Sequence, residues 1–93
     1  MACEASESVV SGSPYSVTEV AGHAATGLDD FTGETEFHVE GQGQHHMVTG
    51  IGALGDNSVR FYEKDSDHEG RDVRIWTITR ETIGFSAQHS AAI

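Results

Sequence analysis

The stretch TEFHVEGQGQHHMVTGIGAL, residues 35 to 54, decides the fold class of this 93-residue chain. In its first part, Phe37 and Val39 alternate with charged and polar residues, which is the period of two expected for a half-buried strand. The Gly-Gln-Gly-Gln segment then supplies turn residues, and alternation resumes from Met47 onward. We therefore predict an antiparallel hairpin whose two strands flank this turn.

Four further segments carry strand signals and are joined by turn-rich connections. They are YSVTEVAG (15 to 22), NSVRFYEK (57 to 64), RDVRIWTITRE (71 to 81) and TIGFSAQ (82 to 88). Residues 21 to 33 predict a loop with one helical turn. Gly50 and Gly52, in the middle of a strand, indicate a bend, a bulge or close backbone approach. The pattern favours an all-β fold, a small antiparallel meander that closes into a barrel or a two-layer sandwich of five or six strands.

The segment 71 to 81 is apolar on both of its faces. Ile75 lies on one face, whereas Trp76 and Ile78 lie on the other, among arginines that include Arg74. Such a strand is usually covered on both sides, and in a small chain the second cover can be another subunit. A β-bulge that reverses the register is the alternative. We therefore take Trp76, Ile78 and Arg74 as a candidate interface for a homo-oligomer.

The composition is strongly acidic, with 15 acidic and 5 basic residues and a net charge of -10. Direct nucleic-acid binding and binding to an anionic membrane are therefore not expected. The acids suit either a halophilic, salt-adapted surface or a mimic of nucleic acid that inhibits a basic protein partner.

The chain is expected to form one domain, with a flexible acidic leader over residues 1 to 13 and a β domain over 14 to 93. The start lacks the features of a secretory signal, and no segment has the length of a membrane span. We therefore expect a cytoplasmic protein, with a virion component as the alternative.

The hairpin tip carries a possible metal site. His38 and Glu40 share a face of the first strand, and His45 or His46 comes across the turn to the same face, depending on the register. Nitrogen and oxygen ligands of this kind suit zinc or copper. The alternative is a solvated polar face, because no spaced metal-binding signature accompanies these residues.

A second candidate is DSDHEG, residues 65 to 70. Asp65, Asp67 and Glu69 place oxygen donors at alternate positions, as at the start of a calcium-binding loop. Trp76 stands where such a loop ends in a bidentate acid, so calcium is a weaker expectation than zinc or copper.

No motif for nucleophilic catalysis or phosphate binding is present in the sequence. The interpretation that follows is a non-catalytic binding or assembly module that self-associates. A metal-binding protein and an acidic inhibitor of a basic partner are the alternatives.

Overall fold

The computed structural model describes residues 9–10, 14–64 and 74–91. Seven strands and one 3₁₀ helix make up this part of the chain. The strands are β1 (Val9–Val10), β2 (Tyr15–Val20), β3 (Gly33–Gly41), β4 (Gln44–Leu54), β5 (Ser58–Glu63), β6 (Arg74–Arg80) and β7 (Phe85–Ala91), and the helix spans Leu28–Phe31.

Strands β2 to β7 form a closed antiparallel barrel of six strands. Each strand pairs with the next one along the chain, and β7 returns to pair with β2. The predicted all-β meander is thereby confirmed. Of the two expected forms, a barrel and a two-layer sandwich, the structure shows the barrel. Strand β1 pairs with β7 beside β2, within the segment for which a leader was predicted. The rest of that segment, residues 1–8 and 11–13, lies outside the described residues.

Alternation along the strands places one set of side chains inside the barrel. Between the two ends of the barrel these inward residues are mostly apolar, because a closed sheet of this size is filled by its own side chains. The core consists of Val20, Phe31, Phe37, Val39, Val48, Val59, Phe61, Trp76, Ile78, Phe85 and Ala87. None of the acidic residues that the structure describes is buried, as expected for acids that coat the outside.

Strand β2 contains a bulge that the sequence does not signal. Val17 pairs with Val39, but the next pair is Glu19 with His38, so the register shifts between these positions. The shift brings Val20 to the barrel interior, where it is fully buried. Simple alternation would have placed it on the face opposite Tyr15 and Val17, so the bulge is what lets β2 contribute three inward apolar residues.

Strand β6 has no bulge. Its pairing with β7 runs without interruption from Arg74 to Arg80. Trp76 and Ile78 therefore point inward, while Ile75 lies on the outer face and is nonetheless only 5% exposed. Of the two explanations for the apolar pattern of this strand, the structure supports cover on both faces and excludes the bulge.

One end of the barrel is closed by the connection between β2 and β3. Within it, the 3₁₀ helix Leu28–Phe31, which we call the plug, inserts the fully buried Phe31 between Phe37 and Phe85, with ring centroids 5.8 and 5.5 Å away. A Cβ on Gly52 would lie 1.9 Å from the Phe31 carbonyl oxygen, so only glycine allows this approach. The predicted close backbone approach at this glycine is thus confirmed.

Hydrogen bonds to Asp30 hold the plug in shape. Its Oδ2 accepts from the backbone N–H groups of Thr26 and Gly27, at 2.8 and 3.2 Å, and from the Thr26 hydroxyl. These donors, with the Thr26 backbone as the largest influence, lower the pKa of Asp30 below its ordinary value. Arg80 donates to the Thr26 carbonyl and lies over the Phe85 ring, which ties the plug connection to β6.

Candidate ligand-binding site

The opposite end of the barrel holds a cavity of about 250 Å³. It is lined by Tyr15, His46, Met47, Val48, Glu63, Arg74, Trp76 and His89, and we call it the mouth. The antiparallel meander explains its composition. β2 and β6 begin at this end, and β5 and β7 finish here, so the mouth collects the inward residues from strand ends that are remote in sequence.

The β3–β4 hairpin forms a wall of the mouth. Pairing of β4 with β5 starts at Gly50 and Glu63, so residues 44 to 49 extend past the end of β5. In this extension His46 pairs with Val39 and therefore lies on the inward side, at the rim. Its Nε2 lies 2.9 Å from the Gln44 Oε1, and its ring meets the Tyr15 ring edge-on at 5.9 Å.

A polar group at the floor of the mouth is organised around Glu63. The Trp76 indole N–H donates to the Glu63 Oε1 over 3.1 Å, and the Arg74 Nε lies 3.7 Å from the same oxygen. Both charged side chains are partly buried, with 25% of Glu63 and 35% of Arg74 exposed. The indole hydrogen bond fixes the plane of Trp76, and the carboxylate and guanidinium offset each other's charge.

Aromatic rings form the rest of the mouth. The Tyr15 ring lies edge-on to Trp76 at 5.5 Å, and the His89 ring is tilted against Trp76 at 4.7 Å. Trp76 in turn contacts Phe37 at 5.9 Å, so the rings at this end are continuous with the core. The mouth is therefore a largely aromatic cavity with a few polar groups at its floor and rim, an arrangement common in sites for small organic molecules.

His89 is the titratable group that this environment perturbs. Burial lowers the pKa of its imidazole below the ordinary value of 6.5, since the charged form loses solvation. The negative charge of Glu63 opposes this effect, whereas Arg74 and His46 add to it. The lowered pKa favours the uncharged imidazole, in which one nitrogen donates and the other accepts.

The hairpin histidines predicted as a metal site are divided between two faces. Glu40 pairs with His45, and the His45 ring stacks on His38 at 5.7 Å, so these three residues share the outer face. His46 belongs to the mouth instead. On that outer face the His38 Nδ1 lies 3.9 Å from the Glu19 Oε1. Within the described ranges, no three His, Cys, Asp or Glu side chains converge closely enough to hold a metal ion.

The other predicted site residues fall into two groups. Asp65, Asp67 and Glu69 lie outside the described residues, so calcium binding stays a prediction. Of the candidate interface, Trp76 and Ile78 are core residues of a single chain, 5% and 0% exposed. A self-associating surface would therefore have to be formed by other side chains.

Among the aromatic and titratable residues of the mouth, sequence reasoning missed Tyr15, Glu63 and His89. Each stands at or near the end of a strand, at an inward position of the period-two pattern. That position was the available signal, because polar inward residues at a barrel end face a cavity rather than the core. Their proximity, however, depends on the closure of β7 onto β2.

A second concave surface lies on the outside of the β3–β4 pair. This groove measures about 470 Å³ and is lined by Ala21, Gly22, Glu34, Thr35, Glu36, Thr49, Gly50 and Lys64. It is shallow and contains no aromatic side chain. Its glutamates belong to an acidic row along β3, and both the mimicry and the salt-adaptation hypotheses stay predictions.

Comparisons with models of protein families, with curated proteins and with solved structures return no match. The class that the geometry defines is a closed, six-stranded antiparallel barrel which, over the described part of the chain, has the plug at one end and the mouth at the other. In the part of the chain that the structure describes, no helix has the length and apolar character needed to cross a membrane.

Proposed function

We propose that this protein is a non-catalytic binding module that holds a small organic molecule in the mouth. The observation that carries the proposal is the asymmetry of the barrel: one end is filled by the plug, and the other contains a cavity walled by Tyr15 and Trp76. Binding in the mouth covers aromatic surface that water otherwise contacts, and this contributes roughly 25 cal/mol per Å².

The internal pairing of the charged groups favours binding over catalysis. Glu63 accepts from Trp76 and lies close to Arg74, and these contacts keep its carboxylate oriented. A general base needs a proton acceptor directed at its substrate. We interpret Glu63 instead as the group that holds Trp76 in place as the floor of the mouth.

Fluorescence offers a direct test, because Trp76 is the only tryptophan in the chain. Titration with a panel of small ring compounds should change the emission of Trp76 in a saturable manner. The Tyr15→Ala variant should lose this response, since it removes a wall of the mouth. Tyr62→Ala is the matched control, because Tyr62 lies on the outer face of β5 and is 39% exposed.

An unsaturable response, or equal losses in the two tyrosine variants, would contradict the proposal. Circular dichroism and unfolding of both variants would establish that the barrel is retained. The comparison then depends on the position of the tyrosine and not on stability.

Self-association is a second candidate function, supported by a different surface. Met47, Ile51 and Tyr62 lie on the outer faces of β4 and β5, and Ile51 pairs directly with Tyr62. We call these three side chains the outer band; Met47 and Ile51 are each 57% exposed. High salt would screen the net charge of -10 and permit contact between copies of this band.

Light scattering at low and high potassium chloride tests this second candidate. We expect an oligomer at high salt that Ile51→Lys dissociates and Ile83→Lys does not, because Ile83 is exposed in the β6–β7 turn at the plugged end. A monomer at every salt concentration would contradict it and leave the binding proposal unaffected.

A further inference from the structure

The outer face of the β3–β4 hairpin carries two histidines that lie apart from the mouth. His38 on β3 pairs with Met47, and His45 on β4 pairs with Glu40, so the two histidines occupy diagonal positions of the strand pair. Their rings are nearly parallel, with an interplanar angle of 17° and centroids 5.7 Å apart. Diagonal side chains on antiparallel strands are within reach of each other. The hairpin therefore holds two imidazoles side by side on one surface.

The separation of the two rings suits coordination of a single metal ion. With metal–nitrogen bonds of about 2.0–2.1 Å, two imidazoles on one ion have centroids roughly 4.5–6.4 Å apart. The observed 5.7 Å falls within this interval, so rotation of the side chains can bring one nitrogen of each ring to a shared ion while the strand pairing is kept. His45 is exposed, and 28% of the His38 side chain is accessible. An ion in solution can therefore reach both rings.

Carboxylates flank the two imidazoles. The His38 Nδ1 lies 3.9 Å from the Glu19 Oε1 on β2, and Glu40 is the cross-strand partner of His45. A histidine that binds a metal through one nitrogen commonly directs the other nitrogen toward a carboxylate, which fixes the ring and strengthens the ligand. Glu19 is thus placed to orient His38 with Nε2 as the ligand. The two carboxylates also attract a cation to this face.

The ligands that this face offers limit the kind of ion. Two imidazole nitrogens suit copper, nickel or zinc, whereas calcium and magnesium prefer oxygen ligands. Among the residues that the structure describes, no three His, Cys, Asp or Glu side chains converge, so the closed four-ligand arrangement of a structural zinc site is not formed. Copper(II) forms the most stable complexes of these ions, and its tetragonal geometry accommodates two nitrogens together with oxygens from water.

We propose that His38 and His45 bind one copper(II) ion on the outer face of the hairpin, each through one imidazole nitrogen, with water in the remaining positions. Glu19 is a positioning residue that orients the His38 ring. The site keeps two ligands of the metal site predicted from the sequence and excludes His46, which belongs to the mouth. It is independent of the proposed binding function, since neither ligand lines the mouth.

Titration of the full chain with copper(II) at neutral pH tests the site. All measurements use the Cys3→Ser background, because Cys3 is the only cysteine and thiolates also bind copper. Calorimetry gives the dissociation constant, and electron paramagnetic resonance counts the nitrogens on the most tightly bound ion. We expect two nitrogens, and weaker binding of zinc and nickel than of copper. Tighter binding of zinc or nickel would overturn the choice of ion.

Substitutions identify the ligands. His38→Asn and His45→Asn should each weaken copper binding by at least about tenfold, since either variant leaves a single imidazole. Glu19→Gln keeps both ligands and should weaken binding by less than either histidine variant. His23→Asn is the matched control, because His23 is an exposed histidine that follows β2, and the affinity should stay unchanged. Circular dichroism of each variant checks that the barrel is retained.

Nuclear magnetic resonance locates the ion without a substitution in the hairpin. Copper(II) is paramagnetic and broadens the signals of nearby nuclei. At substoichiometric copper, the signals of Glu40 and Met47, which pair with the two histidines, should broaden, whereas those of Asp30 in the plug should not.

The results that would overturn the proposal are equally specific. Unchanged affinity in both His38→Asn and His45→Asn would remove the two ligands. A loss in His46→Asn equal to that in His45→Asn would place the ion at the hairpin tip and not on the outer face. Unchanged affinity in Glu19→Gln would overturn the positioning role of Glu19. None of these results bears on binding in the mouth.

Discussion

The two ends of the barrel are built from the same strands and yet differ in chemistry. At the plugged end, Phe31 packs between Phe37 and Phe85, and all three rings are buried. At the mouth, the inward positions carry His89 and Glu63 instead. Among the described residues, the difference lies in the β2–β3 connection, which returns the Phe31 side chain to the barrel interior at the plugged end. In a small barrel, a buried side chain can thus fill and stabilise one end while the other end keeps a cavity.

The largest expected effect belongs to the plugged end. Phe31→Ala removes a fully buried ring, and substitutions of this kind cost about 3–5 kcal/mol of unfolding free energy. Tyr15→Ala at the mouth should cost clearly less, since Tyr15 is only partly buried. Urea unfolding of both variants measures the difference. Equal losses would break the distinction between the two ends.

The next largest loss of stability is expected from a substitution at the contact between β4 and the plug. Gly52→Ala places a Cβ against the Phe31 carbonyl, so the plug must shift, at a cost of about 1–3 kcal/mol. Gly55→Ala is the control, because its Cβ would meet its nearest atom, the Ser58 carbonyl oxygen, only at 3.4 Å. Thermal unfolding should separate the two variants. A neutral Gly52→Ala would mean that the plug does not seal the barrel as described.

At the mouth, Glu63→Ala should cost about 1–2 kcal/mol, because it leaves the Trp76 N–H without this acceptor and Arg74 without this carboxylate. Glu63→Gln keeps an acceptor oxygen and should cost less. The indole proton of Trp76, observed by NMR, should move strongly in the first variant and weakly in the second. Identical spectra for the two variants would argue against the hydrogen bond.

The smallest effect is a dependence of stability on pH at the mouth. Because the folded-state pKa of His89 lies below its ordinary 6.5, the unfolded chain binds this proton more tightly than the folded chain does. The contribution is therefore complete above pH 6.5, declines as the pH falls through 6.5, and is fully lost below the folded-state pKa. Glu63, Arg74 and His46 act on the same ring, so the effect is a balance among all three.

Thermal unfolding between about pH 8 and about pH 5 measures this effect, since that interval spans the ordinary range of histidine titration. His89→Gln should flatten the profile relative to that of the unchanged chain. If the two profiles coincide, His89 is not the buried group described here.

The hairpin and the barrel strands could be predicted from local pattern. Strand β4 runs from Gln44 to Leu54, within the stretch that predicted the hairpin, because its alternation and flanking glycines are local signals. The segment predicted for β7, residues 82 to 88, begins and ends too early. Gly84 adopts a positive φ of 83° in the preceding turn, and the strand spans Phe85–Ala91 instead. The bulge in β2 had no local marker.

The mouth could not be predicted, for a physical reason. Tyr15 and His89 come together only because β7 closes onto β2, and the stagger of that pairing is a property of the whole barrel. The same limit explains why Trp76 was predicted as an interface residue. An inward face and a subunit interface have the same sequence pattern, and only closure of the sheet distinguishes them.

Nuclear Overhauser effects between a bound ring compound and the protein test the central claim most directly. We predict contacts from the ligand ring to the side chains of Tyr15, Trp76 and His89, and none to Phe31 at the plugged end. Contacts to Phe31, or to Ile51 and Tyr62 alone, would contradict the assignment of the mouth as the binding site.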